Sequence, residues 1–231
     1  MTFKKEVKIM RMRKKKNLDT RLDACNEYII EVPEEKFEYG KENEKHIIDT
    51  KALFGNDNPL RLEIGCGKGQ FAMEIAKRHP EINFIAVEIN RNVIVQACEK
   101  AKRENLNNLR FLILGAEKLG LYIEEESVEL IYLNFSCPFP KKRYAKHRLT
   151  HEGFLEIYKK LLKDGGEIHQ KTDNMHFFEF SIGEYSKCGY LISDVSLDLH
   201  NSEFEGNIMT EYEKRFTDLG QPIYRLQAKK R

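Results

Sequence analysis

Three glycines and two glutamates stand close enough along the chain to handle a polar ligand. Gly65, Gly67 and Gly69 alternate in LEIGCGKGQF, where an apolar run gives way to residues with helical spacing. Glycines at a strand-to-helix turn accept positive φ and let a ligand approach the backbone, while the helix start offers free N–H groups. Glu63 lies two residues before the first glycine, and Glu88 lies 19 residues after the last, closing the next apolar run. An acid at the tip of a second strand is placed to accept hydrogen bonds from both hydroxyls of a ribose. A buried Glu63 is costly unless paired, so it faces either the ligand or the loop amides. The spacing is G-x-G-x-G, with Gln70 where a dinucleotide fingerprint needs its third glycine, and Lys68 precedes Gly69 instead of following it as in a P-loop. Nicotinamide and nucleoside-triphosphate readings both weaken. A merely tight structural turn is the alternative for the loop taken alone.

A second constellation follows an apolar run: NFSCPFPKKRYAKHRL, residues 134–149. Pro138 and Pro140 bar a regular strand from continuing and stiffen the turn. Lys141, Lys142, Arg143, Lys146 and Arg148 then fall within eight residues and repel one another unless something anionic sits among them. Residues 1–16 carry eight Lys/Arg and one Glu, although the whole chain sums to only +2. Local cationic patches on a near-neutral body suit docking of a phosphate backbone in one orientation. For the arm, a solvated tail is the plainer alternative.

The elements that must position these groups show as alternating periods. Strand-like runs occur at 60–64, 84–89, 109–114, 128–135, 167–171, 191–199 and 223–228, with helical spacing at 71–78, 93–103, 154–162 and 177–185. Strand alternating with helix implies right-handed βαβ units and a parallel sheet. Only a loop is expected between the last two strands, which makes the end of the sheet antiparallel. Residues 1–52 read as a basic, partly flexible extension with a helical turn or two, and residues 53–231 as the main domain. At 231 residues, 41% hydrophobic and 33% charged, the chain can bury a substantial core. No apolar run approaches the roughly 18 residues of a membrane span, and no apolar segment follows the basic N-terminus as in a secretory signal. Five scattered cysteines without a C-x-x-C pair argue for reduced thiols in a cytoplasm and against a disulfide framework or a zinc site.

The E-x-G-x-G-x-G run with a following strand-end acid resembles the class I S-adenosylmethionine-dependent methyltransferases. YLNFSCPFPKKRYAKHRLT, KTDN at Lys171–Asn174 and TEYEKRF...GQPIY at Thr210–Tyr224 narrow this. Together they resemble the bacterial tRNA (guanine-N7)-methyltransferases over roughly Phe54 to Tyr224. The resemblance implies a Rossmann-like α/β fold: a mostly parallel seven-stranded sheet, helices on both faces and an antiparallel C-terminal strand. It implies methyl transfer from S-adenosylmethionine to N7 of a guanine in the tRNA variable loop, with no metal, no membrane and a single copy acting in the cytoplasm. By the same resemblance Glu63, Gly65, Gly67, Gly69, Glu88, Gly115 and Cys137 fall at cofactor positions. Lys141, Asp173, Thr210, Glu211, Tyr212 and Glu213 fall at positions for the substrate guanosine, and Arg143, Tyr144, Lys146, His147 and Arg148 in the segment that meets RNA. Asp173 could instead cap the helix after it, and Thr210 with Glu213 has capping-box spacing.

Two positions depart from the family pattern. Cys137 stands where the family has the aspartate proposed as catalytic, and Gly115 stands where it has a further cofactor-side acid, with Glu117 two residues on as a substitute. N7 of guanine carries a free lone pair, so its methylation needs no general base, and positioning can supply much of the rate. Cys for Asp is therefore expected to slow the reaction by about 2–4 kcal/mol if the acid acts electrostatically. A Cys137 thiolate restores some charge if Lys141 and Arg143 lower its pKa from about 8.5; an inert buried thiol is the plainer expectation. The competing functional reading is a tRNA-binding protein whose methyl transfer is reduced or lost.

Overall fold

Runs of Leu, Ile, Val and Phe too short for helices build the sheet, and longer amphipathic stretches cover it. The computed structural model describes residues 14–33 and 43–231; of the basic arm, residues 1–13 lie outside the described residues. Eight strands form one sheet: β1 (Ile29–Ile30), β2 (Leu60–Ile64), β3 (Asn83–Val87), β4 (Leu109–Leu112), β5 (Val128–Asn134), β6 (Leu162–Thr172), β7 (Leu191–Ser196) and β8 (Tyr224–Lys229). Their order is β1-β4-β3-β2-β5-β6-β8-β7. All pairs from β1 to β6 are parallel, while β8 runs antiparallel to both β6 and β7. The expected mostly parallel α/β sheet with an antiparallel C-terminal strand is thus the fold.

Two cores lie on opposite faces, because alternate residues of each strand point opposite ways. Short helices α1 (Leu18–Asp23) and α2 (Thr50–Phe54) precede β2. Phe84 and Ala86 pack with α3 (Gln70–Arg78) and α4 (Arg91–Glu104); Ile85 and Val87 join the face that receives α5 (Glu152–Leu161) and α6 (Met175–Lys187). Strand order reverses at β2, which has β3 on one side and β5 on the other. In open α/β sheets that reversal leaves a crevice beyond the strands' carboxyl ends, and ligands bind there.

Three details differ from the sequence reading. The two-residue β1 adds an eighth strand beside β4, brought there by α1 (Leu18–Asp23), whose Leu18 and Leu22 are buried. Arg21 pairs with Glu99 of α4 through both Nε (2.6 Å) and Nη2 (2.8 Å), so this part of the extension is docked. Between β7 and β8 the chain is not only a loop: α7 (Glu211–Thr217) forms there, started by Thr210, whose Oγ1 accepts the Glu213 N–H at 3.0 Å. The capping-box spacing of Thr210 and Glu213 marked its start, and seven residues with no apolar period gave no other signal.

Candidate active site

The turn after β2 is stitched to β3 by two backbone bonds, Gly65 and Cys66 N–H donating to the Val87 carbonyl at 2.8 and 3.0 Å. Glu88, next along, is fixed by two more: Gly67 N–H donates to one carboxylate oxygen (3.1 Å) and Asn90 N–H to the other (2.9 Å). Each oxygen keeps a lone pair for a further donor. The glycines divide their work. Gly67 has φ +56° and open space where a Cβ would lie, so the turn stays accessible there. At Gly69 (φ +72°) a Cβ would lie 2.6 Å from the Ala97 Cβ, so this glycine lets α3 approach α4 and lines neither of the cavities described next.

A cavity of about 440 Å³ opens over the turn, lined by Glu63, Gly65, Gly67, Phe135, Thr210 and Tyr212 among others. Glu63 is only 3% exposed. Its Oε1 accepts from Asn134 Nδ2 at 3.0 Å, and its Oε2 has no partner among the described residues. Burial pushes its pKa up to about 7, against the Asn134 hydrogen bond, the positive charge of Lys171 and the nearby Ala72 N–H, which falls outside hydrogen-bond geometry. Lys171, at the end of β6, is itself buried and donates to Glu213 Oε2 (2.7 Å), Asn207 Oδ1 (3.0 Å) and the Ile208 carbonyl (3.0 Å). Burial lowers its pKa while Glu213 opposes that. A buried carboxylate oxygen lacking a donor is expensive, and a cationic or hydrogen-bonding ligand group would satisfy it.

Gly65 also borders a second cavity, about 270 Å³, whose walls include Glu88, Ile89, Gly115, Glu117 and Phe139. A Cβ built on Gly115 would fall 2.6 Å from Glu117 Oε2. The Glu117 carboxylate therefore stands where a side chain at 115 would begin. Ile89 exposes 68% of its surface beside Glu88 and offers an apolar floor. Two acids in the lining of a largely apolar slot suit a flat polar heterocycle joined to a sugar diol.

A family model described as "Putative methyltransferase" matches residues 57–226. A tRNA (guanine-N(7)-)-methyltransferase of Geobacillus sp. is 48% identical over 95% of this chain and 96% of its own length. The chain belongs to the tRNA (guanine-N(7)-)-methyltransferase family. The family's enzymes from Clostridioides difficile (45% identical, 96% of this chain, 100% of theirs) and Bacillus subtilis (50%, 76% and 83%) agree. The crystal structure of 16S rRNA methyltransferase KamB superposes with a TM-score of 0.61 at 14% identity, covering 80% of this chain and 94% of that one. That likeness concerns the fold alone.

The residues that the family resemblance singles out separate into three groups. Asp173 is half-buried with no hydrogen bond or ion pair to a described residue; the helix cap expected of it belongs to Asn174, which accepts the Phe177 N–H at 2.9 Å. Glu211 and Tyr212 line the larger cavity with Thr210, whereas Glu213 has no exposed surface and both its oxygens are filled by Lys171 and Asn207. In the basic segment, a 3₁₀ helix (Lys142–His147) leaves Lys142, Arg143, Lys146 and His147 exposed beside exposed Lys141, with Tyr144 half-buried under the Arg143 guanidinium at 4.9 Å. Arg148 turns inward: Nε donates to the Pro138 carbonyl (2.9 Å), Nη2 to that of Phe139 (3.1 Å), and its guanidinium lies 4.3 Å from the Phe180 ring centroid. It braces the proline loop.

Cys137 is exposed, against the expectation of a buried thiol. Asn134, Phe135 and Lys171 were not singled out by residue type, although Asn134 and Lys171 are register partners at the ends of β5 and β6. That pairing appears only once the strands are aligned. Among the described residues no group of three His, Cys, Asp or Glu could hold a metal ion, and no helix is long and apolar enough to cross a membrane.

Proposed function

We propose that the protein methylates N7 of a guanine in the tRNA variable loop, using S-adenosylmethionine held across the two cavities that meet at Gly65. The observation that carries this reading is the unpartnered Glu63 oxygen, buried in the wall of a cavity that Phe135 and Tyr212 also line. Bound there, S-adenosylmethionine supplies an electrophilic methyl on a positively charged sulfur. Glu63 neutralises a cationic donor group, Glu88 takes the ribose hydroxyls on its remaining lone pairs, and Glu117 replaces the acid missing at Gly115.

Guanine N7 is already an electron pair, so the chain needs to remove no proton. With the donor bound, formation of the N7–methyl bond would break the methyl–sulfur bond, leaving a neutral thioether and the positive charge on the purine. The residues must hold the base in line and exclude water, which can account for much of the acceleration. Asp173 is free to accept from the guanine's N–H groups. Lys141, Lys142, Arg143 and Lys146 bind phosphates and set the register of the RNA. Gly69 and Arg148 support the site without touching its ligands. The reading takes one copy as the working unit, and a tRNA substrate fits a reaction in the cytoplasm. No step requires a metal.

The test is direct. Purified protein, isotopically labelled S-adenosylmethionine and tRNA lacking the modification should yield labelled N7-methylguanosine after digestion and mass spectrometry. Label elsewhere, or none despite saturating donor, would overturn the reading.

A further inference from the structure

Phe135, the residue after β5, has a left-handed conformation, φ +52°. Bulky residues seldom adopt it, because Cβ crowds the backbone, and when they do the strain is commonly found at a functional site. Asn17 (φ +52°), Asn105 (φ +53°), Asp194 (φ +46°) and glycines meet similar φ elsewhere, and so do Glu126 (φ +56°) and Phe139 (φ +40°). What sets Phe135 apart is the conformation together with its place at the larger cavity. A turn alone could be made by an asparagine or a glycine. Here a ring is kept instead, and it lines the cavity that contains Glu63, Gly65 and Gly67.

Its surroundings hold it in one place. Phe135 N–H donates to the Lys171 carbonyl at 2.9 Å, the Lys171 ammonium lies 5.8 Å from the ring centroid, and Tyr212 lies 5.1 Å away at 46°. Tyr212 in turn meets Phe216 at 4.8 Å and 43°. A base sandwiched between two rings needs them about 7 Å apart, so Phe135 and Tyr212 admit nothing between them. They form one tilted wall, and Phe135 keeps part of its surface open to the cavity it lines.

We propose that Phe135 is the stacking platform for the target purine, turning the N7 edge along the cavity toward the Gly65–Gly67 turn. This rests on the tRNA methyltransferase reading and adds a specificity-determining residue to it. Stacking accepts any base, since every base has a π-face; the choice of guanine then falls to the unpartnered Asp173. The strained backbone has a purpose on this account: it turns the ring off the line of the strand and onto the cavity.

The test compares Phe135→Leu, which keeps apolar bulk but loses the flat face, with Phe135→Tyr and Phe135→Trp, which keep it. Steady-state methylation of unmodified tRNA is measured beside calorimetric affinity for S-adenosylmethionine and thermal stability. The expected result is a ten- to hundredfold loss of kcat/KM in Phe135→Leu, about the size of a lost base–aromatic stack, with donor affinity and melting temperature kept. Phe135→Tyr or Phe135→Trp should recover most of that loss. The proposal is overturned if Phe135→Leu matches wild type, if Tyr and Trp are as impaired as Leu, or if donor affinity falls in step with activity. An inactive wild type that still binds the donor would instead sink the broader reading.

Discussion

Glu63 should make the free protein's stability depend on pH in a way one substitution removes. Burial lifts its pKa from 4.5 to about 7. Between those values the folded protein keeps a proton that the unfolded chain releases, so stability falls as pH rises through the window and levels off above it. The interval is worth about 3 kcal/mol at roughly 1.4 kcal/mol per pKa unit. Glu63→Gln has nothing to titrate there, yet its amide oxygen can still accept from Asn134. Urea unfolding of both proteins from about pH 5 to about pH 8 should therefore show the wild type losing about 2.5 kcal/mol relative to the variant. Groups common to both proteins, such as His169, largely cancel in that difference. The same proton must leave before the oxygen can meet a cationic ligand group, so affinity for S-adenosylmethionine should weaken about tenfold per pH unit below about 7. Calorimetry in buffers of different ionisation enthalpy should register proton release on binding, and Glu63→Gln should bind weakly throughout. Parallel stability profiles for the two proteins would refute the reasoning, whatever the affinities show.

Other residues offer sharper contrasts. Gly69→Ala places a methyl 2.6 Å from the Ala97 Cβ at φ +72° and should cost about 2–4 kcal/mol of unfolding free energy, whereas Gly67→Ala meets only open space and should cost about 1; equal losses would contradict the division between them. Arg148→Ala removes two hydrogen bonds and a ring contact beneath the proline loop and should destabilise by about 1–3 kcal/mol, while Lys146→Ala should leave stability alone, weaken tRNA binding and lower its salt slope by about 1. Cys137→Asp should accelerate methyl transfer up to about a hundredfold if a carboxylate there steadies the developing purine cation; no gain would show that the exposed thiol position contributes nothing electrostatic.

Much of the sheet could be read along the chain because parallel strands buried on both faces are near-continuous apolar runs and their helices carry a clear period. The glycine turn, Glu88 and the proline-bounded basic segment were legible for a related reason: their chemistry is local, set by residues adjacent in sequence. Gly115 and Glu117 could be named together on that basis, but that the carboxylate at 117 fills the space at 115 depends on the backbone path between them. Tertiary structure alone assigned the rest. Glu213 belongs to Lys171, 42 residues away, and not to an open pocket. Asn134 holds Glu63 across two strands that only sheet register brings side by side. Gly69 meets Ala97, and Arg148 folds under its own loop instead of out toward RNA. Sequence spacing encodes period and turn, which act over a few residues; it carries no direct record of which buried polar atoms find one another across the sheet, because that depends on packing of the whole chain. The orphaned oxygen of Glu63 is such a case: its residue type was visible at once, and its need for a partner became visible only when every neighbour was in place.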